Sequence, residues 1–142
     1  MAEIMDFEKC KREHFKKVEP DFDKIKSIIK VAEIRLKAIM QIQKDDETTS
    51  IIVEGYYEII KELLVALLLK NSLKSDNHEC LISYFKHNHK NYEYECMIIH
   101  QLKNIRNRIN YEGILVKMPY LTANEPEFNH IINVLKDLIK VY

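Results

Sequence analysis

Only two glycines, Gly55 and Gly113, and three prolines, Pro20, Pro119 and Pro126, interrupt the 142 residues. Glycine and proline are the residues that break helices and shape tight turns. So sparse a supply favours long helices over many tight β-turns. The length suits one domain, residues 1–142, around one hydrophobic core. With 46% hydrophobic and 31% charged residues, the chain carries enough apolar surface to fold.

Hydrophobic spacing predicts six helices and no strand. The first runs from about Ala2 to Lys17 as an accessory helix within residues 1–18, and stops before Pro20 because the residue preceding proline disfavours helix. The second runs from about Asp21 to Lys44, with Ile25, Ile28, Ile29, Ala32, Leu36, Ile39 and Met40 inward. Thr48 or Thr49 then caps a third helix, Ser50 to Lys70. Tyr56, Ile59, Ile60, Leu63, Leu64, Leu67 and Leu68 form its seam, and Val65, Ala66 and Leu69 extend the apolar surface nearly all round. Such a helix is buried on several sides, as the centre of a bundle or at a subunit interface. Asp76 and Glu79 read as a capping box opening a short fourth helix that ends near Phe85. The fifth spans about Tyr92 to Tyr111, with Tyr94, Met97, Ile98, Leu102, Ile105 and Ile109 as its core stripe and Gly113 as its stop. Residues Lys117 to Tyr120 read as a loop, and the last helix starts at Asn124 with Pro126 in its first turn, burying Ile131, Ile132, Leu135, Leu138 and Ile139. The expected fold is all-α: an up-and-down bundle of four to five core helices plus the N-terminal helix.

Twenty-two basic residues balance 22 acidic ones, which argues against coating nucleic acid by bulk charge. Cys10, Cys80 and Cys96 form no CxxC pair, so a disulfide framework is not expected and a reducing cytoplasm is the natural setting. The longest apolar run, Leu63 to Leu69, is too short to span a bilayer. The first residues, with Glu3, Asp6 and Glu8, lack the basic-then-apolar order of a signal peptide.

The chemistry concentrates near the end of the fifth helix, in Arg106-Asn107-Arg108-Ile109-Asn110-Tyr111. Arg106 and Asn110 lie four apart, as do Asn107 and Tyr111, so each pair shares a helical face. An arginine fork beside amides and a phenol suits a phosphate-bearing ligand. Cys96, His100 and Lys103 continue the same polar arc.

Three segments in order resemble HEPN domains from about Glu19 onward. Tyr57 to Leu69 looks like the long central helix of that family, Leu73 to Ile82 like its turn and histidine-bearing helix start, and Ile105 to Tyr111 like its Arg-x(4 to 6)-His signature. The resemblance implies a helical bundle that dimerises around a shared cleft, acting as a metal-independent ribonuclease or as an RNA- or partner-binding module. It implies phosphate binding by Arg106, orientation by Asn107, and Tyr111 at the position of the signature histidine. Lys103 and Asn110 would add RNA or phosphate contacts. Tyrosine titrates near ~10, against ~6.5 for histidine, and is a poor base at neutral pH. The expectation is therefore a homodimer that binds RNA or a nucleotide-bearing partner, with ribonuclease activity weak or lost. The alternative is a non-catalytic interaction module, the helical partner of a nucleotidyltransferase in a toxin–antitoxin pair, with Tyr111 as a hydroxyl open to modification. In a dimer of antiparallel fifth helices, His100 could stand in for the missing histidine by approaching the partner subunit's motif.

Other constellations carry less. His87, His89, Cys96 and His100 match no closed zinc pattern, so neither metal nor cofactor is expected. His78 reads as a capping or packing residue. Tyr56, Tyr57, Tyr84, Tyr92 and Tyr94 read as core and interface aromatics, and Lys9, Lys11, Arg12, Lys16 and Lys17 as a solvated face.

Overall fold

The computed structural model describes residues 3–140, so Ala2, the expected start of the first helix, lies outside the described residues. Six α-helices appear in order: α1 (Phe7–Glu13), α2 (Phe22–Met40), α3 (Thr49–Lys70), α4 (His78–Asn88), α5 (Glu93–Glu112) and α6 (Met118–Ile139). A 3-10 turn, Lys90–Tyr92, joins α4 to α5. The protein is an all-α helical bundle, and no helix among the described residues is long and apolar enough to cross a membrane.

Helix α3 is the centre, packed against α2, α4, α5 and α6. Its whole expected seam is buried, with Ala66 and Leu69 as well. A helix apolar nearly all round has nowhere to bury that surface except among its neighbours. At Gly55 the α2–α3 approach is tight: a Cβ there would meet Ile39 Cδ1 at 2.6 Å. Helix α6 is tied to α3 and to the α2–α3 loop by one carboxylate. Tyr56 Oη donates to Glu125 Oε2 at 2.6 Å, and Lys44 Nζ donates to Glu125 Oε1 at 2.6 Å.

Several boundaries differ from the sequence reading. Helix α1 ends at Glu13, and Phe15–Lys17 forms strand β1, paired antiparallel with β2 (Leu73–Ser75). Ser72, in the left-handed region at φ 63°, turns the chain out of α3 into β2, and its carbonyl accepts from Val18 N at 3.0 Å. Three-residue strands leave no periodic trace, so this pairing was invisible in the sequence. Cys10 and Cys80 are joined in a disulfide, where the sequence reading expected no disulfide framework. The fold brings their Cα atoms to 5.5 Å although 70 positions separate them in sequence.

Asn77 rather than Asp76 caps α4, its side chain accepting from Cys80 N at 3.2 Å. Asp76 instead meets His14 Nδ1 at 3.2 Å, and α4 runs on past Phe85 to Asn88. Thr48 is the N-cap residue of α3, but its hydroxyl donates to Gln43 O at 2.7 Å and caps no helical N–H. Helix α6 starts at Met118, not Asn124: Pro119 takes the first turn and Pro126 lies inside the helix. An interior proline costs about 3 kcal/mol, which burial of Leu121 and Phe128 on either side of it offsets. Met40, Tyr94 and Met97 are exposed, not core. The buried face of α5 is rotated toward Cys96, Ile99 and His100, with Ile98 and Leu102 retained and Ile105 and Ile109 half-buried.

Candidate functional site

Two helices present polar rows at the same spacing. On α3 the row is Glu54, Tyr57, Glu58 and Lys61; on α5 it is Lys103, Arg106, Asn107 and Asn110. Intervals of three, one and three place four side chains on one face. The rows meet where α3 packs on α5, and the N-terminal turn of α4 adds His78 and Glu79.

Arg106 is the best-positioned member. Its Nη1 donates to Asn107 Oδ1 at 3.3 Å. With the Asn110 amide turned so that donors meet acceptors, Arg106 Nε donates to Asn110 oxygen at 3.2 Å while the Asn110 nitrogen donates to Glu54 Oε1 at 2.7 Å. The guanidinium carbon sits 5.4 Å from the centre of the Tyr57 ring. The Glu58 carboxylate approaches Nη2 only to 3.8 Å, longer than a hydrogen bond. Two hydrogen bonds use two of the five guanidinium N–H donors, and the side chain is 22% exposed. Amides and a ring therefore fix the arginine while leaving donors for a ligand.

The surrounding charge is balanced rather than open. Lys61 Nζ lies 2.9 Å from Glu58 and 3.6 Å from Glu62, and Lys103 Nζ lies 3.3 Å from Glu79. An anion entering here must compete with these carboxylates, most easily at Arg106, where the ionic contact is longest.

His78 completes the cluster, with its Nδ1 3.4 Å from Tyr57 Oη. Burial, then the positive charges of Lys61 and Arg106, hold its pKa below the ordinary histidine value; Glu58 opposes this and Lys103 adds to it. Burial pushes the Tyr57 phenol up to about 12, Arg106 pulls it down, and Glu58 and Glu79 push it up. Tyr57 is thus a neutral hydrogen-bonding group at physiological pH, and His78 is a neutral imidazole able to take a proton.

Of the residues expected at the site, the fold brings Arg106, Asn107, Asn110 and Lys103 together. Tyr111 stands apart: it is 81% exposed and makes no hydrogen bond, ion pair or ring contact among the described residues. His100 is 5% exposed, so its own chain covers the imidazole that was to reach across a dimer. His87 stacks on Phe7 at 3.7 Å, His89 packs on Phe85 at 5.6 Å, and buried Cys96 has its thiol pushed up to about 12. Among the described residues, no three metal-capable side chains converge.

Sequence reasoning missed Glu54, Glu58, Lys61 and His78 as members of the site. The available signal was the Glu54-x2-Tyr57-Glu58-x2-Lys61 row on an otherwise apolar helix. Charged residues in such a helix need partners, and their spacing picks the face on which to look for them. Comparison with protein-family models, with curated proteins and with solved structures finds no match to this chain.

Proposed function

We propose that the α3–α4–α5 cluster binds an RNA backbone through Arg106, with Asn107 and Asn110 orienting the guanidinium and Lys103 adding a second cation. The observation carrying this reading is the fixed Arg106, held by two amides and a ring with N–H donors left over. A planar fork of this kind matches the two oxygens of a phosphate. Cation–carboxylate balance around the site favours a weak, salt-sensitive binder over a high-affinity one.

In this reading the chain is a HEPN-like module working as a homodimer, with cleavage slow or lost; the Cys10–Cys80 disulfide removes the ground on which a reducing cytoplasm was expected. Any cleavage uses His78 rather than Tyr111. The neutral imidazole takes the 2′-hydroxyl proton, the 2′-oxygen attacks phosphorus, and the 5′-oxygen leaves with a proton from water. Tyr111 is left outside that chemistry by its exposure and its lack of contacts among the described residues.

The test is fluorescence anisotropy with a labelled single-stranded RNA at low and physiological salt. A charge-assisted hydrogen bond contributes about 1.5–3 kcal/mol, so Arg106→Ala should weaken binding at least tenfold. Arg108→Ala, which removes an exposed arginine paired with Glu112 at 3.1 Å, is the charge-matched control and should change little. Equal loss in both variants, or none in either, removes the site assignment.

A second reading is favoured by one observation, the 81% exposure of Tyr111, the residue immediately after Asn110 of the cluster. An accessible phenol there suits modification by a nucleotidyltransferase partner in a toxin–antitoxin pair. Incubating the protein with such an enzyme and labelled nucleotide, with Tyr111→Phe as control, separates this reading from RNA binding.

A further inference from the structure

Helix α2 carries a second face that the bundle does not use. Its inner side packs Ile25, Ala32 and Ile39, with Ile28, Ile29 and Leu36 half-buried. On the outer side Ser27, Val31, Ile34 and Ala38 follow at intervals of four, three and four. That alternation keeps residues on one stripe, the spacing of a helix–helix seam. Val31 is 45% and Ile34 is 53% exposed.

Cations border the stripe on both sides. At about 100° per residue, Lys24 and Arg35 fall on one flank and Lys26, Lys30 and Lys37 on the other. All five are exposed, and among the described residues none forms an ion pair. The acidic residues within α2 are Asp23 and Glu33, and Glu33 is engaged by Lys136 of α6 at 3.1 Å. In a chain of zero net charge, this is a concentrated local excess of positive charge.

The combination selects an occupant. A second copy of α2 would bring cation rows against cation rows. A nucleic-acid backbone would meet the lysines but leave Val31 and Ile34 without apolar partners. Helices that lie in a lipid surface use large residues such as Trp, Phe and Leu on the apolar face, whereas this stripe is Ser, Val, Ile and Ala. Small and β-branched residues suit close helix approach, and flanking cations suit the acidic flanking positions of a coiled-coil partner. We propose that the outer face of α2 docks an acidic amphipathic helix of another protein, apolar seam on Val31, Ile34 and Ala38, carboxylates against the two lysine–arginine rows.

The test uses the full chain and two labelled synthetic peptides of three heptads. Both carry leucine and isoleucine at the seam; one has glutamate at the flanking positions and the other has lysine. The glutamate peptide should bind at low salt with a micromolar Kd and weaken in high salt, and the lysine peptide should bind at least tenfold more weakly. Ile34→Asp, and separately Lys30→Glu with Lys37→Glu, should each reduce binding of the glutamate peptide at least tenfold, with the far-ultraviolet circular dichroism unchanged. Arg106→Ala should leave it unaltered, which separates this surface from the α3–α4–α5 site. Equal binding of the two peptides, or insensitivity to both α2 variants, overturns the proposal. So does Ile34-dependent binding of anionic vesicles or of RNA in place of the peptide.

Discussion

The guanidinium carbon of Arg106, on α5, lies 5.4 Å from the centre of the Tyr57 ring, on α3. The same tyrosine meets His78 Nδ1 through its hydroxyl at 3.4 Å, so one buried side chain contacts both chemical groups of the cluster. Cation–ring contacts contribute about 0.5–2 kcal/mol. They also hold the guanidinium plane, which matters when a fork must meet two oxygens. Tyr57→Phe keeps the ring and should retain RNA affinity within about twofold, while Tyr57→Leu should lower it by about threefold to tenfold. Indistinguishable affinities for Phe and Leu would show that the ring does not position the arginine.

His78 predicts opposite pH trends for folding and for binding. Its pKa in the fold is below the unfolded value of about 6.5. As pH falls, the unfolded chain therefore takes up this proton before the folded one does. The stability tied to His78 is present above about pH 6.5 and is lost as pH falls below it. RNA affinity should rise over the same interval, since a phosphate beside the imidazole favours its charged form. Urea midpoints and anisotropy between pH 7.5 and 5.5 check both slopes, and His78→Gln should flatten them. Burial lowers the pKa of His89 too, so some slope in stability will remain. A binding slope unchanged in His78→Gln would place the phosphate elsewhere.

The Cys10–Cys80 bond ties α1 to the first turn of α4, two positions past His78. Closing a loop with a sequence separation of 70 removes unfolded-state entropy worth up to about 4 kcal/mol, and measured values for disulfides cluster at about 2–4 kcal/mol. Chemical denaturation should show a loss of that size on adding a reductant. The double variant Cys10→Ser with Cys80→Ser should start at the lowered stability and not respond to reductant. A wild type equally indifferent to reductant would mean the pair is not bonded in solution.

Gly55 reverses the usual helix rule. Replacing a mid-helix glycine by alanine ordinarily gains about 1 kcal/mol. Here the new methyl would meet Ile39 Cδ1 at 2.6 Å and Cγ1 at 2.9 Å, on a side chain that is itself buried. Gly55→Ala should therefore destabilise, by about 1–3 kcal/mol, the range for overpacked cores. Adding Ile39→Val removes Cδ1 and should recover part of the loss. Thermal melts of the four proteins in this cycle give the coupling directly.

How much of this was legible depends on whether the signal was local. The α3 seam from Tyr56 to Leu68 was readable because helical spacing repeats within a few residues, and every one of those positions is buried. Gly113 was readable as the stop of α5 because the left-handed turn, at φ 65°, favours a residue without a Cβ. The grouping of Arg106 with Asn107 and Asn110 followed from their intervals on a single helix. The start of α6 was misjudged because proline is a strong local breaker, and only burial around it reveals that the helix continues through Pro126. The tilt of the α5 face was misjudged for a related reason. Tyr94 and Met97 are apolar at the right spacing, but which side of a helix is covered depends on the neighbours it receives.

The chain by itself determined that long helices would form, that α3 would be buried on several sides, and that Arg106 would share a face with two amides. These follow from backbone periodicity and side-chain transfer free energy, which act over a turn or two. Tertiary structure alone decided that Glu54, Tyr57, Glu58 and His78 would surround that arginine, that Cys10 would meet Cys80, and that Phe15–Lys17 would pair with Leu73–Ser75. Such contacts join positions tens of residues apart, and their geometry is set by how whole helices pack against one another.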